Sequence, residues 1–99
     1  MIIIEEWSLC IKSNNVYKAP GAQMSLSGFV YGHPKIKDGT YIETSILTDL
    51  DISQRQETTF SGSIYYLGRP EAKWVEWLRE NKYTKYINEL EKFASFILN

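Results

Sequence analysis

The sequence predicts an α+β fold, a small antiparallel β-sheet or SH3-like barrel of four to six strands followed by one or two C-terminal helices. All six glycines and all three prolines lie in the first 70 of the 99 residues. Up to that point apolar and polar side chains alternate in short runs, and beyond it apolar side chains recur at helical spacing. These two observations predict one domain, with a β part at 1–69 and a helical tail at 70–99.

The β part contains several runs that are typical of strands. The run "IIIEEWSLCIK" predicts the first strand, with Ile3, Trp7, Leu9 and Ile11 on one parity that Glu5 interrupts. The run "MSLSGFVYG" predicts a strand with one aliphatic face and one face that is half serine and half aromatic. "TYIETSILT" predicts a third strand, and "DLD" a turn. "QETTFSGSIYYLG" predicts a further strand or pair, with Gly62 at a turn or bulge.

The tail is predicted to begin at Pro70, a residue favoured at the first helical position, with Glu71 complementing the helix N-terminus. Its apolar stripe comprises Trp74, Trp77, Leu78, Tyr83, Tyr86 or Ile87, Leu90, Phe93 or Ala94, and Ile97. The pair Asn81-Lys82 either separates two helices or lies within one. The apolar surplus at the C-terminus predicts a homo-oligomer formed through these helices or, as the alternative, docking of the tail onto a partner. Whether Trp74 and Trp77 lie in the core or in that interface is left open by the sequence.

The charge balance limits the classes of partner. Eleven basic and twelve acidic residues give a net charge of −1, which argues against a general nucleic-acid coat. The single cysteine, Cys10, rules out an intrachain disulfide and fits a reducing compartment. "MIII" is followed at once by Glu5 and Glu6, so it does not resemble a signal peptide, and no run approaches membrane-spanning length. We therefore expect a cytoplasmic protein with no membrane association.

Neither catalytic chemistry nor a metal site is indicated by the reactive residues. His33 is the only histidine, and in "GHP" it is better explained as a turn residue than as a base oriented by Asp38. Cys10 lies between two apolar residues with nothing to activate its thiol. One His and one Cys cannot supply a zinc site, and the D-x-D at 49–51 lacks the oxygen ligands of a calcium loop. We expect no enzyme, no metal and no cofactor.

Two clusters of small hydroxyl residues are the better candidates for a site. Thr44-Ser45 and Ser61-Gly62-Ser63 both interrupt runs that are otherwise strand-like. A glycine between serines lets backbone N–H groups approach an anion, and hydroxyls add hydrogen bonds. The predicted ligand-binding residues are therefore Thr44, Ser45, Ser61, Gly62, Ser63, Tyr65, Arg69, His33 and Lys35, which would suit a nucleotide or another phosphorylated small molecule. The alternative is that these hydroxyls simply occupy exposed strand positions and bulges.

A longer pattern runs through the same residues. It reads Gly28-x-Val30-x-Gly32-His33-Pro34, then Asp38-Gly39, Ile42-x-Thr44-Ser45-Ile46 and Ser61-Gly62-Ser63-x-Tyr65-x-Leu67-Gly68. Together with Trp7-Ser8-Leu9 and Ala19-Pro20, this pattern resembles a group of small accessory proteins encoded in phages and mobile elements, over roughly residues 5–80. The resemblance carries over no catalytic residue. It implies an accessory role, often the inhibition of host defence by binding rather than by chemistry.

Three hypotheses follow for the function. The first is a non-enzymatic phage-type binding protein that inhibits host defence by sequestering an anionic small ligand, such as a nucleotide immune signal. The second is a protein-blocking inhibitor that docks on a host defence complex, as anti-CRISPR proteins do. The third is a small-barrel nucleic-acid binder, which the near-neutral charge disfavours.

Overall fold

The structure, a computed structural model, describes residues 1–11, 24–48, 54–84, 87–88 and 90. Its elements are β1 (Ile2–Ile11), β2 (Met24–Tyr31), β3 (Thr40–Glu43), β4 (Gln56–Thr58), β5 (Ile64–Leu67) and the helix α1 (Ala72–Glu80). The five strands form one sheet in the order β3-β2-β1-β5-β4. The α+β class, the number of strands and a helix following the sheet are thus confirmed.

The sheet is mixed rather than wholly antiparallel. β1 pairs antiparallel with β2, and β2 with β3, as does β4 with β5. The exception is the pair β1 and β5, which is parallel, with Ile2 opposite Tyr65 and Ile4 opposite Leu67. A parallel pair needs a long crossover, and here the chain between β1 and β5 itself builds β2, β3 and β4.

A β-bulge in β1 changes which of its side chains are buried. Glu5 is opposite Phe29 and Ser8 is opposite Ser27, so two residues of β1, Glu6 and Trp7, face one residue of β2. Glu6 adopts the left-handed conformation that such a bulge requires, with φ of +50°. After the bulge, the odd-numbered and even-numbered residues of β1 exchange faces of the sheet. The prediction that Ile3 shares a face with Trp7 and Leu9 was therefore wrong.

The core lies on one face of the sheet, which we call the inner face. Its buried side chains from the strands include Ile4, Leu9, Leu26, Val30, Tyr65 and Leu67. Trp74 and Leu78 of α1 belong to the same cluster. Trp7 joins strand to helix, because its ring lies 5.3 Å from the ring of Trp74, between centroids. Trp74 is thus a core residue, and the buried side of α1 is used within the chain.

The helix begins two residues later than Pro70. Trp7 forms a parallel bridge with Pro70, and the Glu71 N–H donates to the Trp7 carbonyl at 2.8 Å. These contacts extend the pairing of β1 beyond the end of β5 and hold Pro70 and Glu71 in extended backbone. Ala72 is therefore the first helical residue, and Glu71, at the N-cap, makes no side-chain capping hydrogen bond.

The helical tail is interrupted at Asn81-Lys82. α1 ends at Glu80, Asn81 donates its side-chain amide to the Trp77 carbonyl at 2.8 Å, and Lys82 has φ of +61°. Thr84, Ile87, Asn88 and Leu90 are again helical. The ring of Tyr83 stacks on that of Trp77 across the interruption, with centroids 5.5 Å apart. The "DLD" turn and residues 91–99 lie outside the described residues.

The two edges of the sheet approach each other beyond β3. After Glu43 the chain continues along β2, where the Thr44 N–H donates to the Leu26 carbonyl and the Leu47 N–H to the Met24 carbonyl. Leu47 also forms an antiparallel bridge with Thr59, which follows β4. This is a curled sheet with one bridge between its edges. Closure of the sheet into an SH3-like barrel would require more than this one bridge, and it stays a prediction.

Candidate ligand-binding site

The β4–β5 hairpin positions the second hydroxyl cluster. Its turn is held by two backbone hydrogen bonds, from the Gly62 N–H to the Thr59 carbonyl at 2.9 Å and from the Thr59 N–H to the Ser63 carbonyl at 3.0 Å. Gly62 has φ of +91°, a conformation that glycine adopts without a steric penalty. The prediction of a strand pair with Gly62 in the turn is confirmed. The turn leaves Ser61 and Gly62 exposed.

The two hydroxyl clusters meet in the fold. The Ser45 and Ser61 hydroxyl oxygens are 3.2 Å apart, although the residues are 16 positions apart in the chain. A backbone hydrogen bond from the Phe60 N–H to the Ile46 carbonyl holds the two segments together. Ser61 also contacts the Thr59 hydroxyl at 2.9 Å. The result is a run of three hydroxyls, Ser45–Ser61–Thr59, which is open to solvent at Ser61 and closed at Thr59, itself 1% exposed.

Thr44 supports this arrangement from below the surface. Its hydroxyl oxygen accepts a hydrogen bond from the Leu26 N–H at 3.0 Å, and the hydroxyl donates to the Ser45 carbonyl at 2.9 Å. The side chain is buried. Thr44 thus fixes the backbone at the end of β3, and its neighbour Ser45 is the hydroxyl that reaches the surface cluster.

Tyr65 connects the hydroxyl cluster to His33. Its side chain is buried and forms a hydrogen bond with the side chain of Ser63. The imidazole of His33 lies 6.5 Å from the Tyr65 ring, between centroids. Burial raises the pKa of the Tyr65 hydroxyl above its ordinary value of 10.0, and the Ser63 hydrogen bond acts in the opposite direction.

His33 is held in a tight loop between β2 and β3. Its Nδ1 accepts a hydrogen bond from the Lys35 N–H at 3.0 Å. The same loop is closed by Asp38, whose Oδ1 accepts from the Gly32 N–H at 2.8 Å, and by the Gly39 N–H, which donates to the Val30 carbonyl. This geometry agrees with the interpretation of His33 as a turn residue. It also directs Nδ1 inward and gives Lys35 an exposed position beside the imidazole.

Arg69 is not part of this group. It follows the far end of β5, and Ser63 precedes the near end, so six residue steps of extended chain, about 20 Å, separate the two. The Arg69 N–H already donates to a carboxylate, Oε1 of Glu5, at 2.9 Å. That carboxylate lies over Gly68, where a side chain on the glycine would collide with it. The anion at this position is therefore Glu5, a residue of the protein itself.

Two buried residues near the site were missed by the sequence reasoning. Thr59 is the inner end of the hydroxyl run, and Glu57, 2% exposed, is paired with Tyr65 in the β4–β5 register. Both lie on one parity of "QETTF", with Glu57, Thr59 and then Ser61 spaced two apart. That alternation was the available signal, because alternate residues of a strand share a face.

A pH dependence follows from the position of Tyr65. We expect the free energy of unfolding to stay level up to about pH 10 and to fall above it, because the raised pKa makes the folded state favour the neutral hydroxyl. This stability is fully present below the unfolded-state pKa and is lost as pH rises through the folded-state value. Urea unfolding between about pH 8 and pH 11 measures the effect.

The tyrosine variants isolate the Tyr65 contribution. Tyr65→Phe should reduce the decline above pH 10, whereas Tyr31→Phe, a change at an exposed position, should leave the decline as it is in the unmodified protein. If the free energy of unfolding declined equally above pH 10 in Tyr65→Phe and in the unmodified protein, Tyr65 would not be the source of the decline.

Comparison with known proteins identifies no relative, since no family model, no curated protein and no solved structure matches the chain. Among the residues that the structure describes, no group of three or more His, Cys, Asp or Glu side chains is placed to hold a metal ion. Within those same ranges, no helix has both the length and the apolar character needed to cross a membrane.

Proposed function

We propose that the protein is a non-enzymatic binding protein that holds a small anionic ligand, such as a nucleotide, at the surface around Ser45 and Ser61. The observation that carries the proposal is the 3.2 Å approach of these two hydroxyls, which come from clusters 16 positions apart. Each hydroxyl can donate one hydrogen bond and accept two, so a phosphate oxygen can replace the contact between them.

Positive charge is supplied from the His33 loop. The imidazole of His33 lies 6.5 Å from the Tyr65 ring, between centroids, and Ser63 next to Tyr65 belongs to the same turn as Ser61, so the proposal places this loop on the side of the ligand. The exposed Lys35 adds an ammonium group, and His33 adds an imidazole beside it. Arg69 is omitted from the proposed site because it lies at the far end of β5, about 20 Å of extended chain from Ser63.

The biological role rests on the resemblance to phage accessory proteins. Such a protein would inhibit host defence in the cytoplasm by sequestering a nucleotide immune signal, and it would need no catalytic group to do so. The supporting features are the hydroxyl cluster, which is suited to holding a phosphate, and the exposed Lys35 in the His33 loop.

Calorimetry against linear and cyclic nucleotides tests the proposal. We expect one class of nucleotide to bind, and Ser45→Ala/Ser61→Ala to weaken its binding at least tenfold, since a hydrogen bond to a charged group contributes about 1.5–3 kcal/mol. Thr84→Ala, which removes an exposed hydroxyl from the tail, is the matched control and should bind as the unmodified protein does.

Two outcomes would overturn the proposal. One is a nucleotide panel with no binding at millimolar concentration. The other is a nucleotide whose affinity is the same for the double variant and for Thr84→Ala, because that ligand would bind elsewhere. Circular dichroism of both variants establishes that each is folded, so that lost binding is not mistaken for lost structure.

A further inference from the structure

The buried end of the hydroxyl run is tied to the protein backbone. Thr59 is almost fully buried, and its hydroxyl oxygen lies 2.9 Å from the Ser61 hydroxyl and 3.4 Å from the Ser63 carbonyl oxygen. A threonine hydroxyl has one proton to donate and two lone pairs that accept, whereas a carbonyl oxygen only accepts. The single proton of the Thr59 hydroxyl therefore has two acceptors within reach, the Ser63 carbonyl and the Ser61 hydroxyl.

The protons of the hydroxyl run can be arranged in two directions. In the inward direction each hydroxyl donates to its deeper neighbour, and Thr59 donates to the Ser63 carbonyl. In the outward direction Thr59 donates to Ser61, and the protons of Ser61 and Ser45 are left for a group at the surface. Only the outward direction lets both surface hydroxyls donate to an anion.

The outward direction costs little within the β4–β5 turn. What is lost is the 3.4 Å contact between the Thr59 hydroxyl and the Ser63 carbonyl, which is close to the longest distance at which a hydrogen bond forms. The 2.9 Å contact with Ser61 is kept, with its direction reversed. The Ser63 carbonyl still accepts the backbone N–H of Thr59 at 3.0 Å. Neither group is therefore left without a partner when the protons turn outward.

We infer that Thr59 is a positioning residue of the proposed ligand site, and that its hydroxyl donates to Ser61 when Ser61 donates to a bound anion. The inference rests on the proposed function, because it concerns the same anion at the same two serines. A hydroxyl that accepts a hydrogen bond is a stronger donor, since successive hydrogen bonds polarise one another. Thr59 thus strengthens the bond from Ser61 to the ligand without touching the ligand.

The same reasoning gives the chemical class of the ligand group. A phosphate or another oxyanion accepts from Ser45 and Ser61 together, with Thr59 behind them as a donor. An ammonium group only donates, so it requires the inward direction, in which Thr59 donates to the Ser63 carbonyl and adds nothing to Ser61. The Thr59 hydroxyl is therefore expected to favour an oxyanion.

Titration of the full chain with inorganic phosphate tests the inference. The amide signals of Ser45 and Ser61 are followed by nuclear magnetic resonance, with sodium chloride as the control for ionic strength. We expect phosphate, and not chloride, to shift these signals. Thr59→Val keeps the shape of the side chain and removes the hydroxyl, so it should weaken phosphate binding about three- to tenfold, the effect of one hydrogen bond. Thr59→Ser restores the hydroxyl and should bind phosphate as the unmodified protein does.

Thr58→Val is the matched control. Thr58 is half-buried and directly precedes Thr59, and successive side chains of an extended chain point to opposite faces. This variant makes the same chemical change outside the hydroxyl run, so its phosphate affinity should equal that of the unmodified protein. Circular dichroism establishes that each variant is folded. If Thr59→Val does not fold, Thr59→Ala and Thr59→Ser, which differ by one oxygen atom, make the same comparison.

A double-mutant cycle separates an effect through Ser61 from a general loosening of the turn. In the Ser61→Ala background there is no side-chain hydroxyl at position 61 for Thr59 to donate to. Adding Thr59→Val to that background should therefore leave the phosphate affinity unchanged. A loosened turn would instead weaken binding by the same factor in both backgrounds.

Several results would overturn the inference. They are equal phosphate affinity in Thr59→Val and in the unmodified protein, a Thr59→Ser variant that binds as weakly as Thr59→Val, and a loss that persists in the Ser61→Ala background. Phosphate that leaves the Ser45 and Ser61 signals unmoved would also overturn it. The proposed function fails separately, when no nucleotide binds in the calorimetric panel or when Ser45→Ala/Ser61→Ala leaves binding unchanged, so the two failures are distinguishable.

Discussion

Trp7→Ala should destabilise the protein by about 3–5 kcal/mol, the range for removing a large buried aromatic side chain. Trp7 is fully buried, packs against Trp74 of α1 with the two rings tilted by 51°, and donates its indole N–H to the Gly68 carbonyl at 3.0 Å. One side chain thus joins the bulge of β1 to the end of β5 and to the helix. Because small domains have about 5–15 kcal/mol of stability in total, urea unfolding followed by circular dichroism should show a large loss, or no folded state at all.

Two phenylalanine variants separate packing from hydrogen bonding. Trp7→Phe keeps a ring and removes the hydrogen bond to the Gly68 carbonyl. Trp74→Phe makes the same chemical change, but the Trp74 Nε1 is buried without a hydrogen-bond partner among the described residues. We expect Trp7→Phe to cost about 1 kcal/mol more than Trp74→Phe. Equal losses would mean that the indole hydrogen bond of Trp7 contributes little.

Gly28→Ala should destabilise the sheet by about 3 kcal/mol, the upper part of the range for overpacking. A Cβ at this position would lie 2.7 Å from the Glu5 carbonyl oxygen, 2.9 Å from Ile4 Cγ1 and 3.2 Å from Trp7 Cα. Two of these are backbone atoms of the bulged strand, which can yield only by moving β1 away from β2. The free energy of unfolding in urea measures the loss.

Gly39→Ala is the control for this change. A Cβ at Gly39 meets no atom within 4 Å, but the residue has φ of +84°. Its cost is conformational, about 1 kcal/mol, because an alanine is strained in that region. If Gly28→Ala proved no more destabilising than Gly39→Ala, the close approach of the two strands at the bulge would not be what requires a glycine at position 28.

The regular parts of the fold could be predicted from alternation alone. In β2 the aliphatic parity faces the core, and the aromatic half of the other parity is exposed or partly so. The hairpin around Gly62 and the buried Trp74 and Leu78 of the helix also follow local rules of turns and helical spacing. In these segments local preference and tertiary packing agree.

The exceptions arise where tertiary contacts override the local pattern. The bulge at Glu6 and Trp7 shifts the parity of β1, and nothing in alternation signals it except the unexplained Glu5. Glu5 lies on the outer face, where its carboxylate accepts the Arg69 N–H. The start of α1 was likewise misplaced, because Pro70 reads as a helix start and is instead held beside Trp7.

The candidate site likewise has a part that the sequence could predict and a part that depends on tertiary structure. The sequence identified the two hydroxyl clusters but left open whether they meet in the fold, and the structure places the Ser45 and Ser61 hydroxyls 3.2 Å apart. Composition could not show that Thr44 is buried and Ser45 only half-buried, because the path of the chain beyond β3 decides this. Nor could it show that Arg69 lies at the far end of β5, since nearness in sequence says little about nearness along an extended strand.

The parallel pairing of β1 with β5 has a consequence for how the chain acquires its structure. β1 is synthesised first, and it can pair with β2 as soon as residue 31 is available, but its other edge stays open until residues 64–67 have been made. During that interval the chain has an unpaired strand edge of the kind on which proteins aggregate. Contacts more than 60 residues apart also carry a high loop-closure entropy, so we expect folding on the millisecond-to-second scale, with its transition state dependent on the arrival of β5.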